Sequence, residues 1–169
     1  MVDKNAQTLS PILPPDIEEM ARTALEAACD QDLTLATAES CTGGLLASLL
    51  TDVEGCSHAF ERGFVVYSVA AKCDMLGLKE QQVETCGAVS KDVAIAMAQG
   101  ALTHSQASIS LAITGFAGDG DEPGLVHFGC ARRDGPSWHR EEHFGGIGRG
   151  PVRIASLRVA LEMIHHALT

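Results

Sequence analysis

No apolar run in the sequence is long enough to cross a membrane. The longest, around Phe64, Val65 and Val66, covers only a few residues, against the roughly 18 that a bilayer-spanning helix needs. The opening residues Met1 to Gln7 set Asp3 beside Lys4 and contain no apolar stretch, so they do not read as a secretory signal and a cytoplasmic location is expected. Basic residues are scarce. Twelve Lys and Arg stand against 22 Asp and Glu, a net charge of -10, which repels a polyanion over most of the surface and argues against a general nucleic-acid binder. A small anionic ligand in a locally basic pocket stays compatible with that charge. None of the six cysteines, Cys29, Cys41, Cys56, Cys73, Cys86 and Cys130, falls in a Cys-x-x-Cys spacing, so no zinc knuckle is read and reduced thiols are expected. The glycine turn at 40–44 also lacks the Gly-x-Gly-x-x-Gly spacing that lets a backbone approach a pyrophosphate, which weakens a dinucleotide-dependent oxidoreductase.

What is present is a chain of 169 residues, 46% hydrophobic, enough for one substantial core and too short for two ordinary domains. Residues 1–14, polar and ending in Pro11-Ile12-Leu13-Pro14, read as a loose arm, and residues 15–169 as a single domain. Ile17, Met20, Ala21, Ala24, Leu25 and Ala28 follow helical spacing behind the acids Asp16, Glu18 and Glu19. A short strand over 33–38 runs through the turn Glu39-Ser40-Cys41-Thr42-Gly43-Gly44 into a helical run at 45–50. A strand at 60–67, a helix at 70–76 stopped by Gly77, and a helix from Lys91 to about His104 capped by Ser90 come next. Ser108 to Thr114 reads as a buried strand, 124–132 and 138–144 as an antiparallel hairpin, and Pro151 sits in the first turn of a final apolar helix. Helices alternating with strands imply a three-layer α/β fold, in which ligands collect where strands end and helices begin.

Two glycine turns therefore hold the candidate chemistry. Ser40 stands at the carboxyl end of a strand before a glycine-opened helix, a position suited to a nucleophile, with the amides around Cys41 to Gly44 able to hold a phosphate or an oxyanion. The alternative is a tight turn in which Ser40 or Thr42 is an ordinary helix cap. Cys41 is a rival nucleophile, because a helix N-terminus can lower a thiol pKa; the alternative is a small buried hydrophobe. No histidine lies in a motif that supplies a base. His139 and His143 share a strand face, but two histidines without a third ligand are weak ground for a metal. Lys72, five positions after Tyr67 across a strand-to-helix junction, is the better base if partly desolvated. Arg149, Arg153 and Arg158 crowd the start of the last helix without an acid in its first turn, against the macrodipole; a bound phosphate or carboxylate, or ion pairs with the chain's own acids, would resolve the conflict.

Taken together the segments resemble the CinA C-terminal domain family, which includes the stand-alone nicotinamide-nucleotide amidases. The resemblance runs from about residue 15 to 168. It rests on Thr37-Ala38-Glu39-Ser40-Cys41-Thr42-Gly43-Gly44, on Phe60 to Ser68 leading to Lys72, on Gly87-Ala88-Val89-Ser90, on Ile113-Thr114-Gly115-Phe116-Ala117-Gly118 and on Arg149 to Arg153. It implies a three-layer α/β/α domain whose five-stranded mixed sheet is mostly parallel with an antiparallel late strand. It also implies hydrolysis of the carboxamide of nicotinamide mononucleotide to nicotinate mononucleotide and ammonia. By position, Ser40 would be the nucleophile, Lys72 its general base and Tyr67 a helper in orientation or proton transfer. Thr42, Gly43, Gly44, Thr114, Gly115, Arg149 and Arg153 would line the substrate, without metal or cofactor and in a homodimer or larger assembly. The chain lacks the additional N-terminal domain of longer members and reads as the stand-alone form. Val69, Gly148 and the short acidic loop 119–123 depart from the family pattern. The competing class is a non-catalytic or regulatory nucleotide-binding module.

Overall fold

A computed structural model describes residues 13–118 and 120–169. Five strands, β1 (Leu35–Glu39), β2 (Phe60–Val65), β3 (Ile109–Gly115), β4 (Leu125–Arg132) and β5 (Ser137–His143), form one sheet in the order β2-β1-β3-β4-β5. The strands β2, β1 and β3 are parallel, β4 opposes β3, and β5 opposes β4, so the antiparallel member comes late in the chain as the resemblance implied. Six helices cover the sheet: α1 (Pro15–Asp30), α2 (Leu45–Leu50), α3 (Val69–Leu76), α4 (Glu80–Cys86), α5 (Lys91–Thr103) and α6 (Arg149–Leu168).

The period-2 alternation of the strands divides the core in two. Leu35, Ile109, Leu111, Ile113, Val126 and Phe128 pack with α1, α2 and α6 on one face. Ala36, Ala38, Ala112 and Ala131 pack with α3, α4 and α5 on the other. The second face is built of small residues, so α5 presses close to the sheet. There the Ser110 hydroxyl reaches the helix backbone, donating to the Ala98 carbonyl at 2.6 Å.

The capping residues behave as their types dictate. Ser68 Oγ accepts from the Ala71 amide at the start of α3, Gly77 ends that helix at φ 72°, and Ser90 Oγ accepts from the Val93 amide at the start of α5. One element went unread. In α4 only Val83 is buried, so its sequence offers no periodic apolar face. Of the segment read as an arm, residues 1–12 lie outside the described residues. Leu13 is buried in the α1–α6 core, and the Pro14 carbonyl accepts from the Ile17 amide at 3.0 Å, so the packed body includes these two residues. All six cysteines are free thiols. Among the described residues no helix is long and apolar enough to cross a membrane.

Candidate active site

Ser40 directly follows β1, where its amide still donates to the Ile113 carbonyl at 2.9 Å. Alternation therefore sends Glu39 toward α2 and Ser40 toward α3. One turn into α3, after the Ser68 cap, Lys72 turns its side chain inward and is 1% exposed. Its Nζ lies 3.3 Å from Ser40 Oγ, itself on a residue 8% exposed, and donates to the Val66 carbonyl at 2.9 Å. Among the described residues no carboxylate pairs with this amine. Burial, which disfavours the charged form, pulls its pKa below the ordinary lysine value, against smaller opposing contributions from Cys41 and Cys73.

The turn between β1 and α2 is made by Gly43 at φ 61° and Gly44 at φ 94°, left-handed conformations that a side chain at Cβ would strain. Neither Ser40 nor Thr42 caps the helix. Glu39, fully buried, does so from one residue upstream: one carboxylate oxygen accepts from the amides of Gly44 at 3.2 Å and Leu46 at 3.0 Å, the other from Ala47 at 2.8 Å. This corrects the expectation that the whole glycine turn is open to an anion, because a side chain of the protein already holds the helix end. Next to Ser40, the Thr42 amide has no protein acceptor among the described residues, and the Cys41 amide has none beyond its own thiol. Thr42 Oγ1 is buried without a partner. The Cys41 thiol is pushed up to about 11, mainly by burial, so the helix end does not give it the lowered pKa that the rival reading expects.

The N-terminus of α6 abuts this turn. Its cap, Gly148, contributes no side-chain hydrogen bond, and no acid occupies the first turn. Arg153 donates to the Thr42 carbonyl at 2.8 Å, yet its Nε is buried without a partner. Arg149 Nη2 donates to the Tyr67 hydroxyl at 3.4 Å, and the charges of Arg149 and Arg153 both reach Cys41. Arg158 belongs elsewhere: its guanidinium grips the Asp16 carboxylate at 2.6 and 3.1 Å, which settles that arginine as a link between α1 and α6.

The structure thus brings Ser40 and Lys72 together, and gathers Gly43, Arg153, Arg149 and Tyr67 at the neighbouring rim. The Tyr67 side chain is not drawn to the pair; the residue is 64% exposed and its recorded partner is Arg149. Thr114 follows the β1–β3 register to a place beside Ser40, but its hydroxyl donates to the Ala88 carbonyl at 2.8 Å. At Gly115 a Cβ would come within 2.8 Å of the Leu125 carbonyl, so its absence serves the β3–β4 contact. Glu39 is the residue that sequence reasoning missed. A carboxylate that ends a short strand of small and apolar residues and one threonine, just before a glycine turn, was the signal. A cleft of about 230 Å³ between α1 and α6, lined by residues including Met20, Thr23, Leu161 and His165, contains none of these groups.

Comparison with known proteins agrees with this arrangement. The profile of the CinA C-terminal domain matches residues 17–168. The chain belongs to the CinA C-terminal domain family. A CinA-like protein of Chlorobium phaeobacteroides is 45% identical over 146 residues, which cover 82% of the chain and 35% of that protein. The chain spans about a third of the length of the first such curated relatives. Nicotinamide-nucleotide amidohydrolase PncC of Escherichia coli is 41% identical over 153 residues, covering 88% of the chain and 90% of that enzyme. Among solved structures, the competence/damage inducible protein CihA of Agrobacterium tumefaciens superposes with a TM-score of 0.88 at 45% identity, covering 92% of this chain and 97% of that one. The fold is therefore that of solved CinA-superfamily proteins.

Proposed function

We propose that the packed body that begins at Leu13 is one amidase domain that hydrolyses the carboxamide of nicotinamide mononucleotide to nicotinate mononucleotide and ammonia. The observation that carries the reading is the buried Lys72 amine, without an anionic partner among the described residues, 3.3 Å from the hydroxyl of Ser40. A neutral amine has two N–H bonds and one lone pair. The Val66 carbonyl takes one N–H at 2.9 Å, which leaves the lone pair free to receive the Ser40 proton.

The steps follow from that orientation. Ser40 Oγ forms a bond to the carboxamide carbon as its proton passes to Lys72, and the carbonyl electron pair moves to oxygen. The Cys41 and Thr42 amides are the donors nearest that oxyanion. As the C–N bond breaks, the Lys72 ammonium returns the proton to the departing nitrogen, and ammonia leaves an ester on Ser40. Water, deprotonated by the same amine, then attacks the ester carbon, and the Lys72 ammonium returns that proton to Ser40 Oγ as the C–O bond breaks and nicotinate mononucleotide leaves. Arg149 and Arg153 hold the 5′-phosphate, with Tyr67 and Gly43 at the rim; Thr42, Gly44, Thr114 and Gly115 shape the wall beside the nucleophile. The reading includes a cytoplasmic enzyme in an assembly of two or more copies, for which exposed Val65, Tyr67, Phe116 and Ile147 offer apolar surface.

Ammonia release by the purified full chain from a panel of pyridine nucleotides tests the proposal. Turnover is expected with nicotinamide mononucleotide; binding without ammonia from any member would instead make the chain a nucleotide-binding module. The pH profile follows from the Lys72 environment. Only the neutral amine accepts a proton, so kcat/KM should rise through the depressed Lys72 pKa and level off below the ordinary lysine value of about 10.4. The stability linkage has the same sign: the unfolded chain holds this proton more tightly. The burial cost is therefore fully present below the folded pKa and relieved as pH rises toward the unfolded value.

A further inference from the structure

The row of side chains that begins at Ser40 continues across the sheet. Thr114 pairs with His127 on β4, and His127 pairs with Glu141 on β5. His139 lies opposite Gly129, the next inward position of β4. His127 is 6% exposed, and its Nδ1 lies 2.9 Å from His139 Nε2 and 3.5 Å from Glu141 Oε2. The three donor atoms all fall within 4.8 Å of one another. Behind them, the other Glu141 oxygen sits 2.8 Å from His143 Nε2, an outer contact of the kind that orients metal-binding carboxylates.

We propose that His127, His139 and Glu141 bind one divalent transition-metal ion of the zinc class. Metal–ligand bonds of about 2.0–2.1 Å put tetrahedral ligand atoms roughly 3.3–3.4 Å apart, and the two measured separations from His127 bracket that value. The remaining pair, the donor atoms of His139 and Glu141, lies within 4.8 Å, and the side chain of the exposed Glu141 is the one free to move in on binding. Two imidazoles and a carboxylate suit zinc, cobalt or nickel rather than magnesium or calcium. The donors come from two hydrogen-bonded strands, so their spacing is fixed by the ladder, and the fourth position is left for water. With strands about 4.8 Å apart, His127 stands two strands and about 10 Å from Ser40, too far to touch a reacting carbonyl. The ion would clip β4 to β5 and stiffen the wall behind Thr114, independent of the amidase chemistry. Sequence alone paired His139 with His143 and found no third ligand. The hairpin instead sets His139 against His127, with Glu141 between His127 and His143.

Titration of the metal-free full chain with Co²⁺ tests this. One equivalent should develop the visible ligand-field bands of four-coordinate cobalt, removed by Zn²⁺, and zinc at about a hundredfold over Kd should raise Tm by roughly 5 °C or more. His139→Gln and Glu141→Gln should each weaken binding at least tenfold while keeping the metal-free Tm near that of the parent; His165→Gln, in the last turn of α6, should bind as the parent does. Absence of the bands would overturn the proposal, leaving the imidazoles as a hydrogen-bonded pair. So would thiolate charge-transfer bands that persist in His139→Gln, which would assign the ion to cysteines.

Discussion

Ser40→Ala and Lys72→Met should each lower kcat/KM for nicotinamide mononucleotide by at least about a thousandfold, the scale at which loss of a nucleophile or its base is felt. Circular dichroism should be unchanged in both. Alanine removes from Ser40 only a hydroxyl, and methionine matches the unbranched stem of Lys72. The stability of Lys72→Met reflects two opposed effects. Losing the amine strands the buried Val66 carbonyl, at about 1–3 kcal/mol, while the cost of burying an unpaired charge disappears. The balance should lie within about 2 kcal/mol of the parent in urea denaturation. Lys72→Arg should not restore turnover, because a guanidinium keeps its proton throughout the accessible pH range. A Lys72→Met protein with parental kcat/KM would show that the amine is not the base.

Glu39→Ala should be the most destabilising single change near the site, by about 2–4 kcal/mol, since a stranded buried donor costs about 1–3 kcal/mol and the helix end loses its acceptor at the same time. Its carboxylate takes three amides of the α2 N-terminus, Gly44, Leu46 and Ala47, on a helix of six residues that has no side-chain cap at its own N-cap. Alanine would leave the buried Leu46 amide and the part-buried Gly44 and Ala47 amides without their acceptor, and would empty the space the side chain fills. Glu39→Gln keeps one acceptor oxygen and should cost less. Urea denaturation distinguishes the two, and an unchanged midpoint for Glu39→Ala would contradict the capping role. Turnover of Glu39→Ala should fall as well, since the turn it secures carries Ser40.

The sequence showed the site best where it is local. Ser40 before Gly43-Gly44, the Ser90 cap and the Gly77 stop depend on residue types within a few positions, and the structure bears out that cap, stop and turn. The helix–strand order was legible, but that Ser40 and Lys72 act as a pair was implied only by the family resemblance, since nothing local to either residue points to the other. Contacts made across the fold were not legible. Glu39 looks like any acid beside a turn until α2 is seen to lean on it. Arg158 could not be assigned to Asp16, 142 positions away, from charge alone. His127 and His139 become partners only when the hairpin register is known. Helix α4 stayed hidden because a single buried side chain, Val83, leaves no pattern to read.

The double variant Ser40→Ala/Lys72→Met tests most directly whether the two residues act as one unit. If Lys72 works only by taking the proton of Ser40, removing both should reduce kcat/KM for nicotinamide mononucleotide no further than removing either alone, within about tenfold. Losses that multiply in the double variant would mean that the hydroxyl and the amine act independently, and the Ser-Lys account would be wrong.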